Sequence, residues 1–172
     1  MEKGSTIVNL KDLFTEQLRD RLDAARQQDE FLPKLLNRVT DEDLKGSISN
    51  LIVSNREHLE ELPIIFDALE RTPDGETCEG TKALIHEAME VISRSVDEEI
   101  LDVAIAVAVQ HINHHDIAGY RTCCTYAQEL GMPNIAQALD QMHADAVESD
   151  EALNKILIES IGEKAVHPIT EV

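Results

Sequence analysis

The sequence predicts an all-α fold, an antiparallel four-helix bundle with one additional short helix. Aromatic residues make up 3% of the chain and Trp is absent, which suits helices packed through aliphatic side chains and fits sheets poorly. Apolar residues recur at intervals of three and four, as they do along one face of an amphipathic helix. Short connections join these periodic segments except at one place, so neighbouring helices should run antiparallel.

Two long helices are predicted in the first part of the chain, and each contains a proline. Apolar periodicity runs from Leu10 to Leu36 with Pro33 inside it, and from Leu44 to Leu69 with Pro63 inside it. Proline removes a backbone N–H and clashes with the preceding turn. We therefore expect a kink or break just before Pro33 and a local bend at Pro63.

The central helix is predicted over residues 98–130. Residues 100–109 are apolar on nearly every side, so other helices must surround this segment. The one substantial loop, residues 72–81, precedes it and contains Pro, Asp and two Gly. A short helix is predicted between this loop and the central helix, with apolar positions from Leu84 to Ile92.

The starts of two helices are predicted from capping residues. Thr40 with Asp43, and Ser95 with Glu98, have the spacing of an N-terminal capping box. In such a box the first side chain accepts a hydrogen bond from a free backbone N–H of the first turn, and the acidic residue bonds back to the cap. Thr40 is therefore the expected cap of the second helix, and Ser95 that of the central helix.

The last helix is predicted to begin at Pro133 and to end near Gly162. Gly131 has the place of a residue that ends the central helix, and proline is favoured in the first turn of the next one. The expected organisation is a flexible lead over residues 1–8, a single helical domain over 9–162 and a flexible tail over 163–172.

The chain is strongly acidic. It has 34 Asp and Glu against 15 Lys and Arg, a formal net charge of −19. Such a surface repels phosphate backbones and anionic lipids, so we expect neither nucleic acid nor a membrane as a partner. One short segment, residues 19–26, contains acidic and basic residues close together. We interpret these side chains as a solvated, charge-paired face: Arg19, Asp20, Arg21, Asp23 and Arg26.

The three cysteines do not form a disulfide or metal-binding pattern. Cys78 stands alone, and Cys123 and Cys124 are adjacent, so they point to different sides of a helix. Free thiols in a reducing compartment are the simplest interpretation. The first ten residues show no basic and then apolar signal. We therefore expect a cytoplasmic protein.

Polar residues interrupt the inward faces of three helices, and they are the candidate functional residues: His58, His111, Asn113, His114, Asp116, His143, Asp145 and Asp150. Helical bundles that bind two metal ions use a carboxylate from each of two helices and a Glu-x-x-His pair from each of the others. Oxygen and imidazole ligands suit iron and manganese. The alternative interpretation is a set of hydrogen-bonded core groups, which is the usual state of buried polar residues.

The histidine-rich run in the central helix cannot form one metal site by itself. His111 and His115 are four residues apart and share one face, whereas His114 lies to the side. A regular helix therefore splits these histidines between different environments.

Four segments of the chain resemble the YciE/YciF family, ferritin-like bacterial proteins associated with stress responses. The segments are DLFTEQLRDRLDAARQQDEFLPKL, ALIHEAMEVI, AVQHINHHDIAGYRTCCTYAQELG and ALDQMHADAVESDEAL. They occur in the family's order and extend from residue 12 to about residue 157. The resemblance implies a ferritin-like bundle of the kind that can hold a di-iron centre.

Most acidic positions of the family's motifs are changed in this chain. Non-acidic residues stand at four of them: Ala25, Ser54, Asn113 and Ala146. Asp116 and Asp145 keep a carboxylate on a shorter side chain. His58 lies near the altered position in the second helix. The resemblance therefore implies a depleted ligand set, with His58, Asp116 and Asp145 as the candidate metal ligands.

Three functions remain open at this point. The first is a non-catalytic ferritin-like bundle, a stress-associated or structural bacterial protein whose di-iron site is largely lost, which we expect to be a homodimer without a bound metal. The second is a ferritin-like oxidase or peroxidase that binds iron or manganese at His58, Asp116 and Asp145. The third is a helical interaction module that buries an apolar face against a partner or a second copy.

Overall fold

Five α-helices follow one another in the computed structural model, which describes residues 6–166. They are α1 (Leu10–Leu36), α2 (Glu42–Leu69), α3 (Glu79–Arg94), α4 (Glu98–Glu129) and α5 (Pro133–Ile156). A π-helical segment, Leu157–Ile161, and a last helical turn, Gly162–Lys164, continue α5. The four long helices form the bundle and α3 is the additional short helix, so the predicted fold class is confirmed.

Both prolines lie within continuous helices. α1 extends past Pro33 to Leu36, so the break expected there does not occur. Pro33 is in the last turn, where few intrahelical hydrogen bonds remain to be lost, and its own carbonyl accepts a bond from the Asn37 side chain at 3.1 Å. Pro63 lies inside α2, which continues to Leu69.

The two predicted N-caps are wrong by one or two residues. Asp41 caps α2, accepting from the backbone N–H groups of Asp43 and Leu44. Asp97 caps α4, accepting from Glu99 and Ile100. An aspartate next to the predicted residue has the better acceptor, because its carboxylate also interacts with the positive end of the helix dipole.

Thr40 and Ser95 have other roles. Both the backbone N–H and the hydroxyl of Thr40 donate to the buried carboxylate of Asp102, at 2.9 and 2.6 Å. The N–H of Asp41 also donates to Asp102 at 2.9 Å, so the turn between α1 and α2 is tied to α4. Ser95 closes α3, with its N–H on the Ile92 carbonyl at 3.3 Å.

The end of α4 follows the prediction. Gly131 has a φ of +70°, in the left-handed region that favours glycine. Pro133 is the first residue of α5. The backbone N–H of Met132 bonds to the Ala127 carbonyl at 2.9 Å, and that of Gly131 to Gln128 at 3.0 Å. This is the pattern in which a glycine reverses the chain after a helix.

The apolar core consists of two clusters at opposite ends of the bundle. One contains Phe31, Leu44, Ile105 and Leu153 with their neighbours. The other contains Phe14, Phe66, Tyr120 and Leu139 with theirs. The residues that lie between the two clusters along each long helix are at the middle of the bundle. That middle level contains buried polar side chains.

The predicted flexible lead and tail lie mostly outside the residues that the structure describes. Residues 1–5 and 167–172, parts of the expected flexible lead and tail, lie outside the described residues. Lys164, in the expected tail, belongs to the last helical turn and its Nζ donates to Asp41 at 2.9 Å. Within residues 6–166 every helix is too short or too polar for a membrane span.

Candidate functional site

Six buried polar residues form a layer between the two apolar clusters, which we call the polar layer. Its members are Arg21, Gln28, Asn55, His58, Asn113 and Asp116, and each is at most 8% exposed. They come from α1, α2 and α4. Buried polar groups are costly unless they are hydrogen-bonded, so the partners of each one decide what this layer can do.

The centre of the polar layer is an ion pair between Arg21 and Asp116. One guanidinium nitrogen, Nη1, lies 2.8 Å from Asp116 Oδ1. The other carboxylate oxygen, Oδ2, accepts from the Gln28 side chain at 2.6 Å. Both oxygens of Asp116 are therefore engaged by groups of α1, and the pair fixes α1 against α4.

Burial and charge act in opposite directions on this pair. Burial raises the pKa of the Asp116 carboxyl, while Arg21 and Gln28 oppose that effect. Burial by itself would lower the pKa of the Arg21 guanidinium, but the charges of Asp116 and Asp20 outweigh it and the pKa rises. Arg21 is thus a permanently charged group inside the bundle, and removing one partner of such a pair typically costs about 3–5 kcal/mol.

Two asparagines connect the other helices. The Asn55 side chain of α2 donates to the Ala25 carbonyl of α1 at 2.9 Å. The Asn113 side chain of α4 donates to the Ala146 carbonyl of α5 at 2.7 Å. Asn113, one of the inward polar residues named from the sequence, therefore binds the backbone of a neighbouring helix.

His58 belongs to a separate hydrogen-bonded group. Its Nε2 lies 3.2 Å from Asp145 Oδ2 and 3.5 Å from the Ser54 hydroxyl. Gln141 donates to the other oxygen of Asp145 at 2.8 Å. The imidazole meets the Tyr120 ring edge to face, with centroids 5.2 Å apart.

The structure brings together two of the three predicted metal ligands. His58 and Asp145 are in contact, whereas Asp116 is held by Arg21 and Gln28. Within residues 6–166, the three do not form a group whose ligand atoms all lie within 4.8 Å of one another. His58 and Asp116, but not Asp145, line a cavity of about 10 Å³, which is roughly the space of one water molecule.

A second group of polar side chains lies on the other side of Arg21, and we call it the thiol cluster: Asp20, Cys78, Thr81 and His115. Cys78 is the N-cap of α3 and its Sγ accepts from the Thr81 N–H at 3.4 Å. The thiol also lies 3.3 Å from Asp20 Oδ2. Burial raises the pKa of this thiol and lowers the pKa of the His115 imidazole, so both groups tend to the uncharged form.

The position of Arg21 and the thiol cluster both differ from what the sequence predicted. Arg21 was expected on a solvated face, but it is 2% exposed. The spacing contained one signal, since Arg21 lies three residues after Leu18 and seven before Gln28, both buried. Cys78 lies in the predicted loop, and no sequence spacing relates it to His115.

The three histidines of the central helix do not converge on one site, as the spacing predicted, although His111 and His115, expected on one face, differ in exposure. His111 is exposed. His114 is largely exposed, and its Nε2 lies 3.0 Å from Asp150 Oδ1. His115 is half-buried in the thiol cluster. They therefore lie in different environments of one helix.

The fold and the polar layer define the class of this molecule, an all-α bundle in which four long helices enclose buried charged and amide side chains. Within that class, the family model described as "Domain of unknown function (DUF892)" matches residues 9–166. The chain belongs to this family. Protein YciF of Escherichia coli strain K12 is 27% identical over 164 residues, which cover 91% of this chain and 95% of YciF. The YciE/YciF family predicted from the four segments is confirmed.

Two solved structures share the fold over nearly the whole chain. YcfI from Rhodopseudomonas palustris, provisionally described as a structural protein, has a TM-score of 0.84 and 30% identity, covering 88% of this chain and 97% of YcfI. The crystal structure of YciF, described as a stress protein of Escherichia coli, has a TM-score of 0.86 and 25% identity, covering 91% of this chain and 99% of YciF.

Proposed function

We propose that this protein is a non-catalytic bundle of the ferritin-like class, with a structural or stress-associated role, in which Arg21 takes the electrostatic place of a metal centre. One observation supports this most directly. Each oxygen of Asp116 already accepts a hydrogen bond, one from Arg21 and one from Gln28, so the charge of this buried carboxylate is paired by groups of the protein itself.

The space and the ligands also argue against a pair of metal ions. Two-metal sites hold their ions about 3.5–4 Å apart between bridging carboxylates. The cavity in the polar layer has a volume of about 10 Å³, and the guanidinium already neutralises Asp116. An ion there would have to displace the Arg21 Nη1 and the Gln28 side chain, which together bond to both oxygens of Asp116. The residues present therefore fit a two-metal centre poorly.

The relatives support the biological part of the proposal. YciF is described as a stress protein and YcfI provisionally as a structural one. Both share this fold over most of their length. We extend that role to the present chain, with the polar layer as a structural element that fixes the positions of the four helices.

Metal analysis and iron oxidation test this proposal. We expect protein purified without chelator to contain far less than one iron or manganese per chain. We also expect Fe(II) to be oxidised at the rate of a protein-free control, and His58→Ala to leave that rate unchanged. His111→Ala is the matched control, because His111 is an exposed histidine.

Bound metal together with faster iron oxidation would contradict this proposal. Stoichiometric iron or manganese, with accelerated Fe(II) oxidation that is lost in His58→Ala and kept in His111→Ala, would establish a working metal centre. The oxidase hypothesis with His58, Asp116 and Asp145 would then replace the proposal.

A further inference from the structure

The thiol cluster brings together three different metal-binding groups from three elements. The Cys78 thiol, an Asp20 carboxylate oxygen and a ring nitrogen of His115 all lie within 4.8 Å of one another. Asp20 belongs to α1, Cys78 caps α3 and His115 belongs to α4. None of the three belongs to the polar layer, so the cluster is separate from the ligand set discussed above.

The donor types indicate which ion would fit. One sulfur, one imidazole nitrogen and one carboxylate oxygen suit a borderline-soft divalent cation such as Zn²⁺. The ligand atoms of a tetrahedral zinc site are about 3.5 Å apart, given bond lengths of about 2.0–2.3 Å. The separation of Cys78 Sγ and Asp20 Oδ2 is 3.3 Å, so little movement is needed. Three protein ligands would leave one position for water.

The cluster already binds a positive charge, that of Arg21. Its second terminal nitrogen, Nη2, lies 2.5 Å from Asp20 Oδ2 and 3.7 Å from Cys78 Sγ. The same nitrogen lies 2.9 Å from Nδ1 and 3.4 Å from Nε2 of His115. Because these two distances are similar, Nη2 lies over the face of the imidazole ring and not along a lone pair. The in-plane lone pair of His115 is therefore not used by Arg21.

One nitrogen of the Arg21 side chain has no hydrogen bond within residues 6–166. Its Nε has no hydrogen-bond partner among the described residues, although the side chain is 2% exposed. Nη1 is bound to Asp116 independently of the cluster. The guanidinium can thus give up the contacts of Nη2 and keep its principal ion pair.

The backbone around the cluster holds the ligands in position. The N–H of Cys78 donates to Asp23 at 2.7 Å, and Gln27 donates to the Cys78 carbonyl at 3.1 Å. Gly80 allows His115 to approach α3, since a Cβ at that position would lie 2.8 Å from His115 Nε2. Asp20 keeps 29% of its side chain exposed, which gives an ion a route from solvent.

We propose that Asp20, Cys78 and His115 form a site for a single divalent cation of the zinc type, which enters by displacing Arg21 Nη2. On binding, the Cys78 thiol releases its proton to solvent and the sulfur bonds to the metal; Arg21 keeps its charge and its bond to Asp116. No electron transfer is involved. The site is independent of the proposed function, because it lies outside the polar layer and concerns a cation without redox chemistry.

Cobalt titration of the full chain tests the site, because a thiolate bound to Co²⁺ absorbs in the near ultraviolet and a carboxylate does not. We expect one Co²⁺ per chain with this charge-transfer band at slightly alkaline pH, and displacement of the band by Zn²⁺. Cys78→Ser should abolish it. Cys124→Ser is the matched control and should keep it, since Cys124 is a buried thiol that bonds to the Ala136 carbonyl.

A gain in affinity tests the displacement of Arg21. The double variant Arg21→Gln/Asp116→Asn removes both charges of the buried pair together, which avoids an unpaired buried charge. We expect it to bind Co²⁺ about tenfold more tightly than the wild type, because the competing cation is gone. Circular dichroism verifies that each variant is folded.

Two results would disprove the proposed metal site, and one would disprove the displacement of Arg21 by the ion. A folded wild-type protein that shows no thiolate band at saturating Co²⁺ has no such site. A band that persists in folded Cys78→Ser comes from another thiol. Equal affinity of the wild type and the double variant would mean that Arg21 does not compete with the ion. None of these results bears on iron or manganese, which the iron-oxidation experiment measures separately.

Discussion

Arg21 reaches the middle of the bundle because α4 has no side chain at position 119. A Cβ built on Gly119 would lie 2.5 Å from both Cδ and Nε of Arg21. These atoms belong to a side chain held on both sides, by Asp116 and by Asp20. The glycine is thus required by the arginine, and the two residues form one structural unit.

Gly119→Ala should therefore destabilise the fold, although alanine normally favours a helix. The overlap with Arg21 must be relieved by movement of a packed, charged side chain, and we expect the free energy of unfolding to fall by about 1–3 kcal/mol. Urea unfolding measures this change. Gly46→Ala in α2 is the matched control, because a Cβ there meets nothing within 4 Å.

The control should change stability in the other direction. Alanine in an open helical position stabilises by about 0.5–1 kcal/mol relative to glycine. If both variants gain stability, Arg21 moves freely and its packing does not require a glycine at position 119.

At this scale the sequence predicted residue types better than residue partners. Of the eight polar residues expected on the inward faces, His58, Asn113 and Asp116 are buried, whereas His111 and His114 are exposed. The partners of Asp116 could not be foreseen, because Arg21 and Gln28 are distant in sequence and arginine is rarely buried. Side-chain contacts of this kind depend on how the helices are rotated, which periodicity leaves undetermined.

At the scale of helices, the residue at which a helix begins depends on which side chain can accept hydrogen bonds from the free N–H groups of its first turn. Asp97 provides an acceptor to Glu99 at 2.9 Å and to Ile100 at 3.1 Å. The hydroxyl of Ser95 instead donates to the Val91 carbonyl at 3.1 Å, within the end of α3. The predicted capping box failed because a short connection supplies two possible caps, and the aspartate lies closer to α4.

This assignment makes a direct prediction. Asp97→Ala should lower the free energy of unfolding by about 1 kcal/mol, since it removes the cap of α4. Ser95→Ala should change it by less than about 0.5 kcal/mol, as most surface substitutions do. Thermal and urea unfolding of both variants, compared with the wild type, measure the difference. The reverse order of the two effects would assign the cap to Ser95.

At the scale of the whole molecule, the four-helix bundle followed from the sequence because it depends on few properties. Apolar spacing, short connections and the scarcity of aromatic residues were enough to predict it. The polar layer lies at one level in the helices because the buried polar positions of α1, α2 and α4 fall between the same two apolar clusters. That alignment is a property of the assembled bundle, and no single segment contains it.

The net charge gives a prediction at the same scale. With a formal charge of −19, repulsion between carboxylates opposes the compact state. Raising NaCl from about 10 mM to about 150 mM shortens the Debye length from about 30 Å to about 8 Å. We therefore expect the melting temperature to rise by a few degrees, as followed by circular dichroism.

A neutral solute at equal osmolality is the control for this measurement, because it leaves the charges unscreened. A melting temperature that falls with NaCl would mean that attractive ion pairs, such as Arg56 with Asp29 at 2.8 Å, outweigh the general repulsion.

The absence of a side chain at Gly119 of α4 also restricts which substitutions this chain can accept during evolution. A larger residue at that position avoids this overlap only when the guanidinium at position 21 has been lost. Loss of the guanidinium in turn removes the counter-charge of Asp116, and burial then favours the protonated form of this carboxyl. Substitutions at positions 21, 116 and 119 are therefore coupled, since a change at one alters what the other two positions tolerate.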